Sequence, residues 1–325
     1  MFTPSKKLIK QVIWYEATFA VLMIVAFAVL AVSRQALIRL MDYNMQIIAT
    51  ASIVFLISLI VHTRLNRASV ENTKLYENLK DSQDRIDKDL ETARHVQESI
   101  LHRAIPKDLP LMIAGHCLPS ASIGGDFYQV NHKPEKKIIE CIIGDVAGHG
   151  VASALVMTMS YIYLRELSTK YDSPSEILYN LNNRLCEELQ QRLNHLTCFI
   201  ISYNYETKTI TYAQGGHDDV IIIDKNNNKI ERLSSRGLII GKFINAVFEE
   251  KSLQYDSSKR IILFTDGITE HRNNEGNWFE EERLIEHLKN TAGEAPIYAV
   301  NNLYKNTQEF SPNIRDDQTI LILDT

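Results

Sequence analysis

What the chain lacks narrows the field before any motif is read. Its four cysteines, Cys117, Cys141, Cys186 and Cys198, form no C-x-x-C pair and no zinc-type spacing. They read as reduced, mostly buried thiols, which suits a cytoplasmic compartment and argues against a disulfide scaffold or a structural zinc site. There is no basic excess: a net charge of −5 gives no electrostatic reason to expect nucleic acid. Internal repeats and low-complexity tracts are absent, so solenoids and disordered tails are not indicated. Residues 64–100 contain no glycine and no proline, and residues 43–61 contain no charge.

Those last two absences organise the first third of the chain. Residues 12–32 carry only Glu16, and residues 43–61 carry no charge at all; each run is near the ~20 residues a membrane-crossing helix needs. Two such runs joined by the short segment 33–42 predict a transmembrane helical hairpin over 1–63. Lys6, Lys7 and Lys10 precede the first run and Arg64 and Arg67 follow the second, against Arg34 and Arg39 between them. That balance predicts both termini, and everything after them, on the cytoplasmic side of the cell's inner membrane. Trp14 and Tyr15 stand where interfacial aromatics belong.

Residues 64–100 predict one helical linker. Leu65, Asn72, Leu79, Ile86, Ala93 and Ile100 recur every seven residues, with Ala68, Leu75, Ser82, Asp89 and Val96 three positions later. This is a heptad pattern interrupted by polar residues, and it predicts a homodimeric coiled coil. His95 on this helix has neither the acidic neighbour nor the downstream proline expected of a phospho-accepting histidine.

Beyond Pro106 and Pro110 the pattern changes to short strands and paired helices. Strands are predicted at 111–118, 127–132, 136–146, 197–205, 208–213, 220–224, 229–233, 246–255, 260–265 and 318–323. Helices are predicted at 151–169, 174–191, 279–290 and 295–308. Strands that mostly follow strands, with helices in pairs, predict an α+β sandwich over 101–325 instead of an alternating parallel sheet.

Within that domain, aspartate recurs at strand ends. Asp145 ends the apolar run 138–143 and is followed by Gly148 and Gly150; Asp126 follows Gly124-Gly125; Asp266 ends 261–265 and precedes Gly267; Asp316 and Asp317 stand just before the last strand. Aspartate is depleted from strands and their apolar flanks. One such residue is a turn former; four in one domain suggest convergence on hard, oxygen-seeking cations. Clustered carboxylates repel one another, and two divalent ions would offset about four negative charges.

The segments Ile123-Gly124-Gly125-Asp126-Phe127-Tyr128, Gly144-Asp145-Val146-Ala147-Gly148-His149-Gly150, Phe264-Thr265-Asp266-Gly267-Ile268-Thr269-Glu270 and Arg315-Asp316-Asp317-Gln318-Thr319 together resemble the motifs of the metal-dependent type 2C (PPM) phosphatases. The bacterial branch named for stage II sporulation protein E is the nearest in pattern. Ala213-Gln214-Gly215-Gly216-His217 is similar to its Ala-Gly-His turn, and residues 93–106 to the helix that enters its catalytic domain. The resemblance spans about 90–325 and implies a two-sheet β-sandwich flanked by helix layers, binding two Mn²⁺ or Mg²⁺. Carried over by motif, Asp145 bridges the two metals, Asp266 and Asp316 hold one, and Asp126 with the carbonyl of Val146 hold the other. Asp317 ranks below Asp316. The implied reaction is hydrolysis of phosphoserine or phosphothreonine in a protein by metal-activated water, without a phosphoenzyme. The implied substrate is a STAS-type anti-sigma-factor antagonist. Gln129 departs from the branch's usual acidic residue, Asp218-Asp219 from its usual proline after the histidine, and Leu238-Ile239-Ile240-Gly241 from its Pro-Leu-Gly turn. Neither His149 nor His271 is assigned a role. Two alternatives remain: a sensory histidine kinase, whose Asp-x-Gly-x-Gly box is matched here with one residue too many, and an inactive scaffold.

Overall fold

The computed structural model describes residues 6–32, 43–101, 105–189, 195–254 and 258–325. The expected connecting loop 33–42 lies outside the described residues, as do the expected helix end at 190–191 and strand end at 255. The chain divides into two compact units, Met1–Ser82 and Gln83–Thr325.

Helix α1 covers Lys6–Val32 and helix α2 covers Tyr43–Leu101 without a break. No change of secondary structure therefore marks the expected hairpin–linker boundary at 63. Among the described residues one helix, α2, is long and apolar enough to cross a membrane; the described apolar run of α1, Trp14–Ala28, is shorter. Its side chains, including Trp14, Tyr15, Leu22 and Ile24, are exposed, as are Leu65, Leu75, Leu79, Ile86 and Val96 along α2.

The second unit contains strands β1 (Met112–Leu118), β2 (Phe127–Lys133), β3 (Ile138–Val146), β4 (Leu196–Asn204), β5 (Thr209–Gly215), β6 (Val220–Asp224), β7 (Ile230–Leu233), β8 (Lys251–Gln254), β9 (Lys259–Phe264) and β10 (Gln318–Asp324). Its helices after α2 are α3 (Val151–Lys170), α4 (Pro174–Leu189), the single turn α5 (Asp266–Thr269), α6 (Glu280–Asn290) and α7 (Pro296–Phe310). One sheet has the order β1-β10-β9-β6-β7 and the other β2-β3-β4-β5-β8, with antiparallel pairing throughout.

Three apolar cores follow from this layering. Ile139, Cys141, Ile143, Phe199, Ile201, Leu263 and Leu321 fill the space between the sheets. Ile142, Val146 and Ile200 turn the other way, onto Leu164 of α3 and Leu181 of α4, while Ile262, Ile320 and Ile322 meet Leu284 of α6 and Leu303 of α7. Strands buried on both faces have no polar side, which is why 138–143 reads as a nearly continuous apolar run. Glu140 is the exception. It is fully buried on the helix-facing side of β3, where it accepts from Asn131 Nδ2 at 2.8 Å and pairs with Lys133 Nζ at 3.3 Å.

Two strands begin two or more residues later than expected. The strand expected from 246 begins only at Lys251, because Ala246 and Phe248 turn inward to pack beside Ile240 and Ala213. The strand expected from 136 begins at Ile138, after a 3₁₀ turn at Pro134–Lys136 that Lys137 closes with φ 58°. All four cysteines are free thiols, three of them buried.

Candidate active site

The strand register brings the aspartates together. In the antiparallel pair β2–β3, Phe127 lies opposite Gly144, so Asp126, just before β2, and Asp145, near the end of β3, emerge side by side. In the pair β10–β9, Ile320 lies opposite Phe264, which places Asp266, just after β9, and Asp316, just before β10, at one end of the other sheet. A hydrogen bond from Thr265 Oγ1 to Asp126 Oδ2, 2.7 Å long, joins the two pairs across the sandwich. Thr265 Oγ1 in turn accepts from Thr319 N at 3.0 Å. All four aspartates named in the sequence thus stand at one end of the two sheets.

The surrounding backbone allows close approach at selected points. A Cβ on Gly125 would meet the Val146 carbonyl oxygen at 3.0 Å, so that carbonyl faces the backbone beside Asp126. A Cβ on Gly267 would fall 1.9 Å from the Asp317 carbonyl oxygen, an overlap only glycine escapes. Between β3 and α3 the chain turns through Gly148 and Gly150 at φ 90° and 86°, a region that L side chains rarely adopt.

Electrostatics distinguish these groups from ordinary surface carboxylates. Asp126 is 2 % exposed; burial and the charge of Asp145 raise its pKa well above the usual carboxylate range, against the bond from Thr265. Burial pushes Asp145 up to about 6, with the charges of Asp266, Asp316 and Asp317 adding to the rise and its contact with Asp126 opposing it. Asp266 rises through burial and the nearby charge of Glu270. Asp316 rises through desolvation and the charges of Asp266 and Asp317, with His149 acting the other way.

An all-oxygen anionic donor set whose members raise one another's pKa fits hard divalent cations. Among the described residues no three His, Cys, Asp or Glu side chains close on a single point.

Asp317 has a different task from Asp316. Its Oδ1 accepts from Ser120 N at 2.7 Å and from Ser120 Oγ at 2.8 Å, and its Oδ2 accepts from Gly125 N at 2.6 Å. It is buried and occupied in holding the loop that carries Asp126, whereas Asp316 is exposed at the rim.

His217, placed by the sequence only within a motif, proves to be a brace. Its Nε2 lies 3.1 Å from the Phe264 carbonyl oxygen, which can only accept, so this nitrogen carries the proton. Nδ1 then accepts from Thr197 Oγ1 at 2.8 Å. Burial lowers its pKa to about 4, so the ring is neutral. Thr197 lies opposite Asp145 in the register, so His217 ties the strand beside Asp145 to the one ending at Asp266. Of the two histidines given no role in the sequence, His149 is exposed beside Asp316. His271 is buried and donates to carbonyls of Thr307 and Ser311, at 3.2 and 3.0 Å, anchoring the end of α7. Thr265 and Thr197 carried no sequence signal of their roles. His95 lies exposed on α2, 3.5 Å from Glu98.

Several known proteins are similar to this chain. Phosphoserine phosphatase RsbU of Bacillus subtilis is 29 % identical over 252 residues, covering 76 % of this chain and 73 % of that protein. Phosphoserine phosphatase RsbP of the same organism is 28 % identical over 185 residues, covering 56 % of this chain and 45 % of that protein. Among solved structures, the SiaA-PP2C domain of Pseudomonas aeruginosa superposes with a TM-score of 0.68 at 19 % identity, covering 75 % of this chain and 98 % of that one. The fold is therefore that of the type 2C phosphatases, and it displaces the histidine-kinase alternative. Residues 137–325 match the model of the stage II sporulation protein E (SpoIIE) family, and the chain belongs to that family.

Proposed function

We propose that this chain is a protein serine/threonine phosphatase that works with two divalent cations, Mn²⁺ or Mg²⁺, on a phosphoserine or phosphothreonine protein. The observation that carries the reading is the convergence of Asp126, Asp145, Asp266 and Asp316 at one end of the sandwich, each with a raised pKa.

Asp145 would be shared between the two ions, Asp266 and Asp316 would hold one, and Asp126 with the Val146 carbonyl would hold the other. Such ions, when bound, supply the positive charge that activates water and offsets the phosphoryl oxygens. The protein's own part is positional. Thr265 orients Asp126, Asp317 holds the loop before it, and neutral His217 keeps the two strand ends in register without taking part in proton transfer. His149 lies exposed at the rim, where an incoming phosphate would pass.

The names of RsbU and RsbP as phosphoserine phosphatases support a phosphoserine substrate. The proposed substrate is a STAS-type antagonist of an anti-sigma factor, within a partner-switching pathway. Membrane anchorage through the apolar N-terminal helices is supported by exposed apolar side chains within 14–28 and 46–61, and a cytoplasmic catalytic unit by the basic residues that flank the apolar runs. Homodimerisation along α2 is supported by its exposed heptad leucines and isoleucine.

The deciding experiment measures phosphate release from a phosphoserine STAS-domain protein with and without Mn²⁺, using Asp145→Asn as the control. Activity that needs Mn²⁺ and vanishes in the variant is the expected result. Equal activity in the variant, or none in the wild type with Mn²⁺, would return the chain to the inactive-scaffold alternative.

A further inference from the structure

The segment that delivers Asp126 to the site belongs to neither sheet. Strand β1 ends at Leu118 and β2 begins at Phe127, so residues 119–126 depend on side-chain anchors. Two are described above: Asp317, which binds Ser120 and Gly125, and Thr265, which binds the Asp126 carboxylate. A third comes from a distant part of the chain.

Gln97 lies near the end of α2, half-buried between exposed neighbours. Its Nε2 donates to the Gly124 carbonyl at 2.9 Å, and its Oε1 accepts from the Gly124 N–H at 3.3 Å. A carboxamide carries a donor and an acceptor side by side, as a peptide group does. Gln97 therefore pairs with Gly124 as one residue of a neighbouring strand would. A shorter amide would not reach, a carboxylate of equal length would face the Gly124 carbonyl with a second acceptor, and an apolar side chain would bind neither group. No side chain at Gly124 could take over the task, because a Cβ there would fall 2.7 Å from Asp317 Oδ2. The Gly124 carbonyl and the Gly125 N–H are the two ends of one peptide group, and Asp317 holds the second of them. Gln97 thus holds the peptide groups on both sides of Gly124, and Asp317, from the other end of the catalytic unit, shares the second, on a di-glycine stretch with little stiffness of its own.

We infer that Gln97 is a positioning residue for Asp126: the end of α2 fixes the Gly124 peptide and thereby where the Asp126 carboxylate can reach a divalent cation. The inference rests on the metal-dependent reading above, and its test separates the two. The full-length chain in detergent micelles is compared with Gln97→Met, which keeps the length and removes both bonds, and with Gln97→Glu, which keeps only the acceptor. His95→Ala, on the same helix and facing away, is the control.

Titration calorimetry with Mn²⁺ alone should show the dissociation constant rising roughly tenfold in Gln97→Met and Gln97→Glu, the scale of two neutral hydrogen bonds, and unchanged in His95→Ala. Amide hydrogen exchange across 120–126 should accelerate in the same two variants. A merely structural role would lower the unfolding temperature and leave Mn²⁺ affinity alone. At saturating Mn²⁺ the variants should regain kcat. Wild-type affinity together with wild-type exchange in Gln97→Met would overturn the inference. If the wild type itself neither binds Mn²⁺ nor releases phosphate, the phosphatase reading has failed, and exchange across 120–126 alone decides the role of Gln97.

Discussion

Replacing Asp317 by alanine separates the carboxylate that builds the site from those proposed to bind ions. Its two oxygens accept from Ser120 N, Ser120 Oγ and Gly125 N at 2.7, 2.8 and 2.6 Å. Hydrogen bonds to a charged partner contribute about 1.5–3 kcal/mol each when deleted singly. The three share one carboxylate and the Ser120 end is only half-buried, so they do not add fully, and about 3 kcal/mol is expected for the set. In a unit of this size about 1 kcal/mol moves the unfolding midpoint by roughly 2–4 °C, which puts Asp317→Ala about 6–12 °C below wild type. Asp316→Ala removes an exposed carboxylate that accepts one bond from Asp317 N at 2.9 Å, and should cost less than about 1 kcal/mol while abolishing activity. Asp317→Asn is nearly as damaging as alanine, because its NH₂ must face either Gly125 N or the Ser120 donors. Scanning calorimetry without divalent ions measures all three variants. A wild-type midpoint for Asp317→Ala, or equal losses for Asp316→Ala and Asp317→Ala, would refute the division of labour between these neighbours.

Acidity should tune the response to cations. Asp145 sits near pKa 6, and Asp126, Asp266 and Asp316 are also raised. The folded state therefore binds more protons than the unfolded chain between about pH 4 and 6, and ion-free stability falls as pH rises through that window. Divalent ions relieve the resulting repulsion, so the thermal shift caused by Mn²⁺ should be larger at pH 7.5 than at pH 5.5; an equal or reversed difference contradicts the assignment. Gly267→Ala drives a Cβ to 1.9 Å from the Asp317 carbonyl oxygen, a backbone atom that cannot rotate away, and should cost about 3 kcal/mol or leave the protein insoluble. A wild-type melting curve for that variant would be incompatible with the structure. Lys133→Met leaves Glu140 buried without its cation and should cost about 3 kcal/mol in urea unfolding, part of which Glu140→Gln restores in the double variant. Additive losses would mean that the two groups do not act as a pair.

Much of the catalytic unit was legible because its signals are local. Strands buried on both faces show as apolar runs, helices as periodic ones, and Asp126, Asp145, Asp266 and Asp316 stand out because aspartate is rare at such strand ends. The boundaries missed at 136 and 246 are places where local propensity was overruled. A 3₁₀ turn precedes Ile138, and Ala246 and Phe248 leave the strand pattern to fill a gap against the helices. Glu140 looked like an interruption in an apolar run, and nothing adjacent revealed that Asn131 and Lys133 on the neighbouring strand compensate it.

The order of apolar and polar residues was enough to indicate an α+β sandwich, the uninterrupted helix from 64 to 100 and the four candidate carboxylates, since each depends on residues a few positions apart. Which carboxylate does what was decided by the fold. Asp316 and Asp317 are adjacent and chemically identical, yet Ser120 and Gly125, 197 and 192 positions away, take one of them and leave the other at the rim. His217 is neutral because the fold buries it. Asp126 is held by Thr265, 139 positions on, while Gln97 holds Gly124 from 27 positions away. Hydrogen-bond partners, burial and mutual charge are properties of neighbours in space, and the antiparallel register is what made these residues neighbours.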